Sequence, residues 1–274
     1  MSAEELFEAL DVIGLIPAGG QATRISPLPM SKELYPIGFQ TDTISHKTCP
    51  KVVSQYLLEK MRLAGITRAF VILKPGKWDI PAYFGDGTML NMHLAYLTVH
   101  VPYGVPYTLD QAYPFVTTSR IALGFPDILF APEDAFAKVL ARQSRSQADV
   151  VLGLFPTDQY QKAGMVEVDN AGRVRQIIEK PKVTDLRYMW AIAVWSPTFT
   201  HFMHDYLAAI PSDHWKASAA TPAKRELPIG DVIQAAIAHG LRVEAECFPE
   251  GSYLDVGTPD DLARAIRTLT PPID

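Results

Sequence analysis

The apolar run at residues 12–17 (VIGLIP), which leads straight into the paired glycines Gly19 and Gly20, constrains this chain more than any other feature. Its residues are apolar on both parities, as in a strand buried on both faces of a parallel sheet; a strand with one solvated face would alternate. Residues 68–73 (RAFVIL) form a second run of this kind. Between the two, Val53, Tyr56, Leu57, Met61 and Ala64 recur at the spacing of one helix face, and Gly65 stops the helix. Strand, loop, helix, strand is a βαβ unit with a right-handed crossover.

The alternation continues with strands at residues 94–99, 120–124 and 149–155 and helices at 107–115 and 132–145. Past Phe155 the strands shorten, to 164–168 and 174–178, around a turn in which Asn170 and Gly172 accommodate positive φ. Helices at 197–207 and 229–239, a strand at 241–247, and a last helix with Thr258 as N-cap and Pro259 at its first position complete the pattern. The fold class is α/β, a Rossmann-like, doubly wound, mostly parallel sheet with an α+β C-terminal half covering the active site. Residues 1–269 read as a single domain with halves at 12–155 and 156–269, and 270–274 as a tail.

In an open parallel sheet, ligands lie beyond the carboxyl ends of the strands. The loop Pro17-Ala18-Gly19-Gly20-Gln21-Ala22-Thr23-Arg24, followed by Ser31-Lys32, is therefore the first candidate site. Adjacent glycines let backbone N–H groups approach phosphate oxygens, and Arg24 and Lys32 add the positive charge a triphosphate requires. Taken alone, Gly19-Gly20 reads as a plain turn. A Walker A loop would need Gly-Lys-Ser/Thr, which is absent. A dinucleotide fingerprint would need a third glycine where Thr23 or Arg24 stands, which disfavours an NAD-linked dehydrogenase.

A net charge of -5 argues against a general nucleic-acid binder, so any phosphate site must be local. Cys49 and Cys247 form no C-x-x-C pair and read as reduced thiols. Glu4, Glu5 and Glu8 do not fit a signal peptide, and no apolar run reaches membrane-spanning length. A soluble cytoplasmic protein, with neither nucleic acid nor membrane as partner, is expected.

The segment 17–25, followed by Ser31-Lys32-Glu33-Leu34-Tyr35-Pro36-Ile37, resembles the signature of sugar-1-phosphate nucleotidylyltransferases, closest to the glucose-1-phosphate thymidylyltransferase branch, where G-G-x-G-T-R precedes S-K-x-L-x-P. Gly124-Phe125-Pro126-Asp127, Gly164, Glu179-Lys180-Pro181 and Tyr253-Leu254-Asp255-Val256-Gly257-Thr258 match later family segments in order, so the resemblance spans roughly residues 12–265. It implies transfer of NMP from a nucleoside triphosphate to a sugar 1-phosphate or similar phosphomonoester, with Mg²⁺ as cofactor and release of pyrophosphate. It further implies that residues 12–155 bind the nucleotide and 156–269 the acceptor. Ala18, Gly19, Gly20, Gln21 and Thr23, with His100 and Gly104, would hold the nucleotide. Arg24, Lys32 and Lys180 would be catalytic; Gly164, Glu179, Lys180 and Trp190 would hold the acceptor; Asp127 and Asp255 would ligate the metal. Relatives are commonly oligomers, and the sequence leaves a homo-oligomer open.

Four departures stand out. Ala22 replaces the family's third glycine, and residues 38–49 look like an insertion. The base-reading glutamine is not evident in 99–107, where His100 occupies its neighbourhood, so thymine, uracil and cytosine all stay open. Trp190-Ala191 stands where the family has a small polar stretch. A nucleotide- or nucleotide-sugar-sensing subunit without turnover, and a cytidylyltransferase acting on a non-sugar phosphate, are the alternatives. His201 and His204 share a helix face without an accompanying carboxylate motif and read as a surface pair; Trp195 and Phe199 read as core or pocket wall.

Overall fold

The computed structural model describes residues 10–20, 22–41, 46–100, 103–211 and 226–269. Gln21, the acidic N-terminal residues Glu4, Glu5 and Glu8, and the tail 270–274 lie outside the described residues. β1 (Val12–Ala18) leads through the glycine loop to a hairpin, β2 (Pro36–Thr41) with β3 (Thr48–Val52), where the insertion was expected. α1 (Val53–Leu63) then returns the chain to β4 (Arg68–Leu73). Next come α2 (Asp79–Phe84), β5 (His93–Thr98), the short helices α3 (Val105–Asp110) and α4 (Tyr113–Val116), β6 (Arg120–Gly124) and β7 (Ile128–Ala131). α5 (Ala135–Ser146), β8 (Val150–Pro156), β9 (Gly164–Val168), β10 (Val174–Glu179) and β11 (Tyr188–Trp195) follow. The chain closes with α6 (Pro197–Ala208), α7 (Ile229–Ala238), β12 (Val243–Cys247), β13 (Ser252–Asp255) and α8 (Pro259–Leu269).

The expected helix at 107–115 is a correction: it forms as two pieces, because Pro106 and Pro114 each sit in the first turn of a helix. Proline is tolerated there but has no N–H to continue a helix through its own position. The helix expected from Pro132 starts three residues later, at Ala135, with Asp134 as its N-cap.

Nine strands form one sheet in the order β10-β9-β11-β6-β1-β4-β5, with β8 pairing β11 and β12 pairing β8. Seven of them (β1, β4, β5, β6, β8, β9 and β12) point the same way, and β10 and β11 oppose. Strands of both halves therefore share the sheet. Because β11 runs against β6, its amino end at Tyr188–Trp190 lies at the rim where β1, β4, β5 and β6 end.

The alternation within β1 shows why its sequence is apolar throughout. Ile13 and Leu15 face a layer holding Trp195, Phe199 and Val232, while Ile16 and Ala18 face one holding Leu57, Met61 and Phe136. Helices α1 and α5 cover one face of the sheet, and α3, α4, α6 and α7 the other. No helix among the described residues is long and apolar enough to cross a membrane.

β7 and β13 pair with each other in a separate antiparallel ribbon. Phe130 of β7 ties this ribbon to the core, with ring centroids 5.5 Å from Phe155 and 5.9 Å from Phe136; Phe155 in turn stacks on Phe248 at 5.0 Å. Phe155→Ala removes the hub of that cluster and is expected to cost about 3–5 kcal/mol. Urea unfolding measures this, and a wild-type midpoint would contradict the assignment.

Candidate active site

The loop after β1 opens onto a cavity of about 430 Å³ lined by Gly19, Gly20, Ala22, Thr23, Arg24, Lys32, His100 and Gly104, among others. Ala18 is 1% exposed and ends β1 beneath this cavity instead of lining it. Ala22 has φ 54°, the left-handed conformation that glycine adopts freely. Its carbonyl caps the turn, accepting hydrogen bonds from the backbone N–H groups of Ile25 (3.1 Å) and Ser26 (3.0 Å) and from the Ser26 hydroxyl (2.9 Å).

Lys32 begins a single helical turn, Lys32–Leu34, whose entry is fixed from outside the loop. The Ser31 N–H and hydroxyl donate to the two oxygens of Asp79, each at 2.6 Å. Burial pushes the Asp79 carboxyl up, but these hydrogen bonds outweigh it and hold the group below its usual range. Asp79 was not among the sequence candidates; the chain carries no local signal that a carboxylate opening α2 clamps this distant loop.

Asp127 comes from the middle of the chain and Asp255 from near its C-terminal end. In the β7–β13 ribbon Asp255 pairs with Ile128, and the Val256 N–H donates to the Asp127 carbonyl at 2.9 Å. The Lys32 ammonium sits on the Asp127 carboxylate. Arg24 Nη2 lies 3.8 Å from Asp255 Oδ2. Gly257 leaves room for that approach, since a Cβ there would stand 2.8 Å from Arg24 Nη2.

Burial, then the charge of Asp127, push the Asp255 carboxyl up to about 6, against the pull of Lys32 and Arg24. Burial pulls the Lys32 ammonium down, but Asp127, Glu33 and Asp255 together hold it above its usual value. Burial and the same carboxylates push the Tyr253 hydroxyl far up. Two mutually repelling carboxylates suit a divalent cation. Among the described residues no group of three or more acidic, His or Cys side chains gathers. A metal held here would thus take its other oxygens from phosphates or water, the habit of Mg²⁺.

A second cavity, of about 470 Å³, holds Gly164, Glu179, Lys180 and Trp190 and shares Arg24, Phe125, Asp127 and Glu226 with the first. Glu179 pairs with Gly164 across β9 and β10, and the Lys180 N–H donates to the Ala163 carbonyl at 3.0 Å. A Cβ on Gly164 would lie 2.7 Å from both Glu179 Oε1 and Trp190 Nε1, and one on Gly230 would overlap the Glu179 carboxylate. Trp190 stands beside a register shift in β11 and packs on Phe125 at 5.9 Å; such shifts re-aim a side chain. Gly104, at φ 115°, bridges to Leu227, and a Cβ there would overlap the Leu227 carbonyl. That bridge joins the first cavity to the segment carrying Glu226.

The structure thus gathers Gly19, Gly20, Thr23, Arg24, Lys32, His100, Gly104, Asp127, Asp255, Gly164, Glu179, Lys180 and Trp190 around two adjoining cavities. Lys74, Thr108, Phe125 and Glu226 also line them and were not singled out from sequence. His201 and His204 have separate partners. His201 Nδ1 meets the Tyr113 hydroxyl at 3.0 Å, while His204 Nδ1 meets Asp110 at 2.9 Å and stacks on Tyr113. Trp195 and Phe199 are fully buried core.

Two predictions follow from this geometry. Ala22→Gly relieves the left-handed strain and is expected to raise stability by roughly 0.5–1 kcal/mol after the added unfolded-state entropy; an unchanged or lower thermal midpoint would refute it. For Asp255, a folded pKa above the ordinary value favours the fold below the carboxylate range, and that contribution disappears as pH rises through about 6. In chelator, Asp255→Asn is therefore expected to be more stable than wild type at about pH 8, by on the order of 1–3 kcal/mol, with the difference shrinking toward pH 4. A pH-independent difference in urea midpoints would refute the burial argument.

The sequence profile of the nucleotidyl transferase family matches residues 13–271. The chain is 25% identical over 257 residues to the low-salt glycan biosynthesis nucleotidyltransferase Agl11 of Haloferax volcanii, covering 92% of this chain and 64% of that protein. It is 27% identical over 264 residues to a glucose-1-phosphate thymidylyltransferase of Streptomyces griseus, covering 93% of this chain and 65% of the relative. The chain thus spans just under two thirds of the length of both relatives. A UDP-glucose pyrophosphorylase solved with UDP-glucose superimposes with a TM-score of 0.74 at 16% identity, covering 94% of this chain and 98% of that one. That likeness concerns the fold.

Proposed function

The chain belongs to the nucleotidyl transferase family, and from that premise we propose that it transfers NMP from a nucleoside triphosphate to a sugar 1-phosphate or similar phosphomonoester. The reading is carried by one observation: Asp127 and Arg24 line both cavities, with Lys32 on Asp127 from the first and Asp255 beside Arg24 in the second. One cavity would take the triphosphate and the other the acceptor, so the reacting phosphates meet at the two carboxylates.

An oxygen of the acceptor phosphate attacks the α-phosphorus in line; the bond to the β-phosphate oxygen breaks, and pyrophosphate leaves. No nucleophilic side chain is required, because the attacking phosphate is already anionic. Asp127 and Asp255 would hold Mg²⁺, which when bound neutralises phosphate charge and orients the groups. Lys32 exchanges its contact with Asp127 for the α-phosphate, and Arg24 steadies the departing pyrophosphate. Lys180 grips the acceptor phosphate, while Glu179 accepts hydrogen bonds from acceptor hydroxyls. Gly19 and Gly20 present backbone N–H groups to the triphosphate, with Thr23, His100 and Gly104 around the nucleoside.

Pyrophosphate release, measured with each common nucleoside triphosphate against a panel of phosphorylated acceptors, tests this reading and identifies the base. Lys32→Ala is expected to lower kcat about 10²–10³-fold. Asp127→Asn is expected to abolish Mg²⁺-dependent release while its unfolding stays cooperative. Nucleotide binding without release from any pair would instead identify a nucleotide sensor.

A further inference from the structure

A third cavity, of about 460 Å³, lies on the far side of Asp255 and has no part in the chemistry above. It meets the acceptor cavity at Lys162, Tyr253 and Asp255, which line both. Its outer wall carries Asp158, Arg187 and Arg264. Lys162 is committed, at 3.6 Å from Asp261, and the Asp261 carboxylate also accepts the Thr258 hydroxyl at 2.7 Å. Neither guanidinium has a hydrogen-bond or ion-pair partner among the described residues; only the backbone carbonyl of each is used, by Thr157 N–H and Thr268 hydroxyl respectively. Asp158 likewise has no side-chain partner.

Three cations (Lys162, Arg187 and Arg264) line the cavity against three carboxylates (Asp158, Asp255 and Asp261); with Lys162 held by Asp261 and Asp255 met by Arg24, two arginines against Asp158 leave a local excess of positive charge. Guanidinium groups present forked donors that match phosphate and carboxylate oxygens. We propose that this cavity is an anion subsite of the acceptor site, selecting phosphorylated acceptors that carry a second anionic group away from the reacting phosphate. The inference rests on the acceptor reading of the neighbouring cavity and adds the acceptor class. Asp158 opposes an anion in this place and tunes the preference downward.

Calorimetric titration with glucose 1-phosphate and with glucose 1,6-bisphosphate tests it directly. Wild type is expected to bind the bisphosphate at least about tenfold more tightly, the worth of one charge-assisted contact. The Arg187→Gln, Arg264→Gln double variant is expected to lose that advantage while its glucose 1-phosphate affinity is unchanged, and Asp158→Asn to enlarge it. Equal affinity of wild type for both ligands, or an advantage that survives the double variant, overturns the subsite and leaves the acceptor assignment standing. Binding of neither ligand overturns the acceptor assignment itself, and the subsite falls with it.

Discussion

The pairing of β13 with β7 is the constraint on which the site depends. The ribbon stands apart from the nine-stranded sheet, so nothing in the sheet's own hydrogen bonding positions Asp255. Delivery comes from the segment before it. β12 runs parallel to β8, the Phe248 N–H donates to the Leu154 carbonyl at 2.9 Å, and the Phe248 ring stacks on Phe155. Gly251 then turns the chain against Ala131 with no space for a side chain. The ribbon thereby sets the Asp255 carboxylate of β13 beside Asp127, from the turn after β6.

Bringing two carboxylates together is unfavourable by itself, and the cations of the glycine loop are what make it tolerable. Lys32 and Arg24 each approach a different carboxylate, and both pull against the burial that penalises the charge of Asp255. The loop that carries them is itself fixed by Asp79 through Ser31. Electrostatic order therefore passes from α2, through the loop, to the β7–β13 ribbon. A chain with net negative charge can in this way hold a few cations in place with its own acids, as the proposed phosphate site requires.

The sheet is legible in the sequence wherever burial leaves both parities apolar, as in β1, β4, β6 and β8. The turn at 169–172 is legible because Asp169 accepts the Ala171 and Arg173 N–H groups and Gly172 takes positive φ. β7 and β13 are not legible. Each spans four residues, carries no clean alternation, and has meaning only through a partner distant in the chain. The Asp79 clamp is hidden for the same reason: its partner lies 48 residues upstream. Residue types at Gly19, Gly20, Arg24 and Lys32 carry the family resemblance of the loop after β1, and Pro114 marks the α3–α4 break. Asp127 and Asp255 could be read through the family segments that carry them although distant pairing brings them together, whereas Asp79, with no such segment, could not.

Trp190 shows how a departure in sequence becomes intelligible through its neighbours. An indole at the rim of β11 would fill the acceptor cavity if the facing positions carried side chains. Gly164 stands where a Cβ would press on the indole nitrogen, and Gly230 leaves the Glu179 carboxylate its place behind. Bulk at position 190 is thus matched by its absence at 164. The register shift beside Trp190 turns the ring onto Phe125, whose side chain lines both the nucleotide and acceptor cavities. This wall of the cavity is built around an aromatic pair, Trp190 and Phe125, and in the proposed reaction it would offer an acceptor a flat, weakly polar face beside the Glu179 carboxylate.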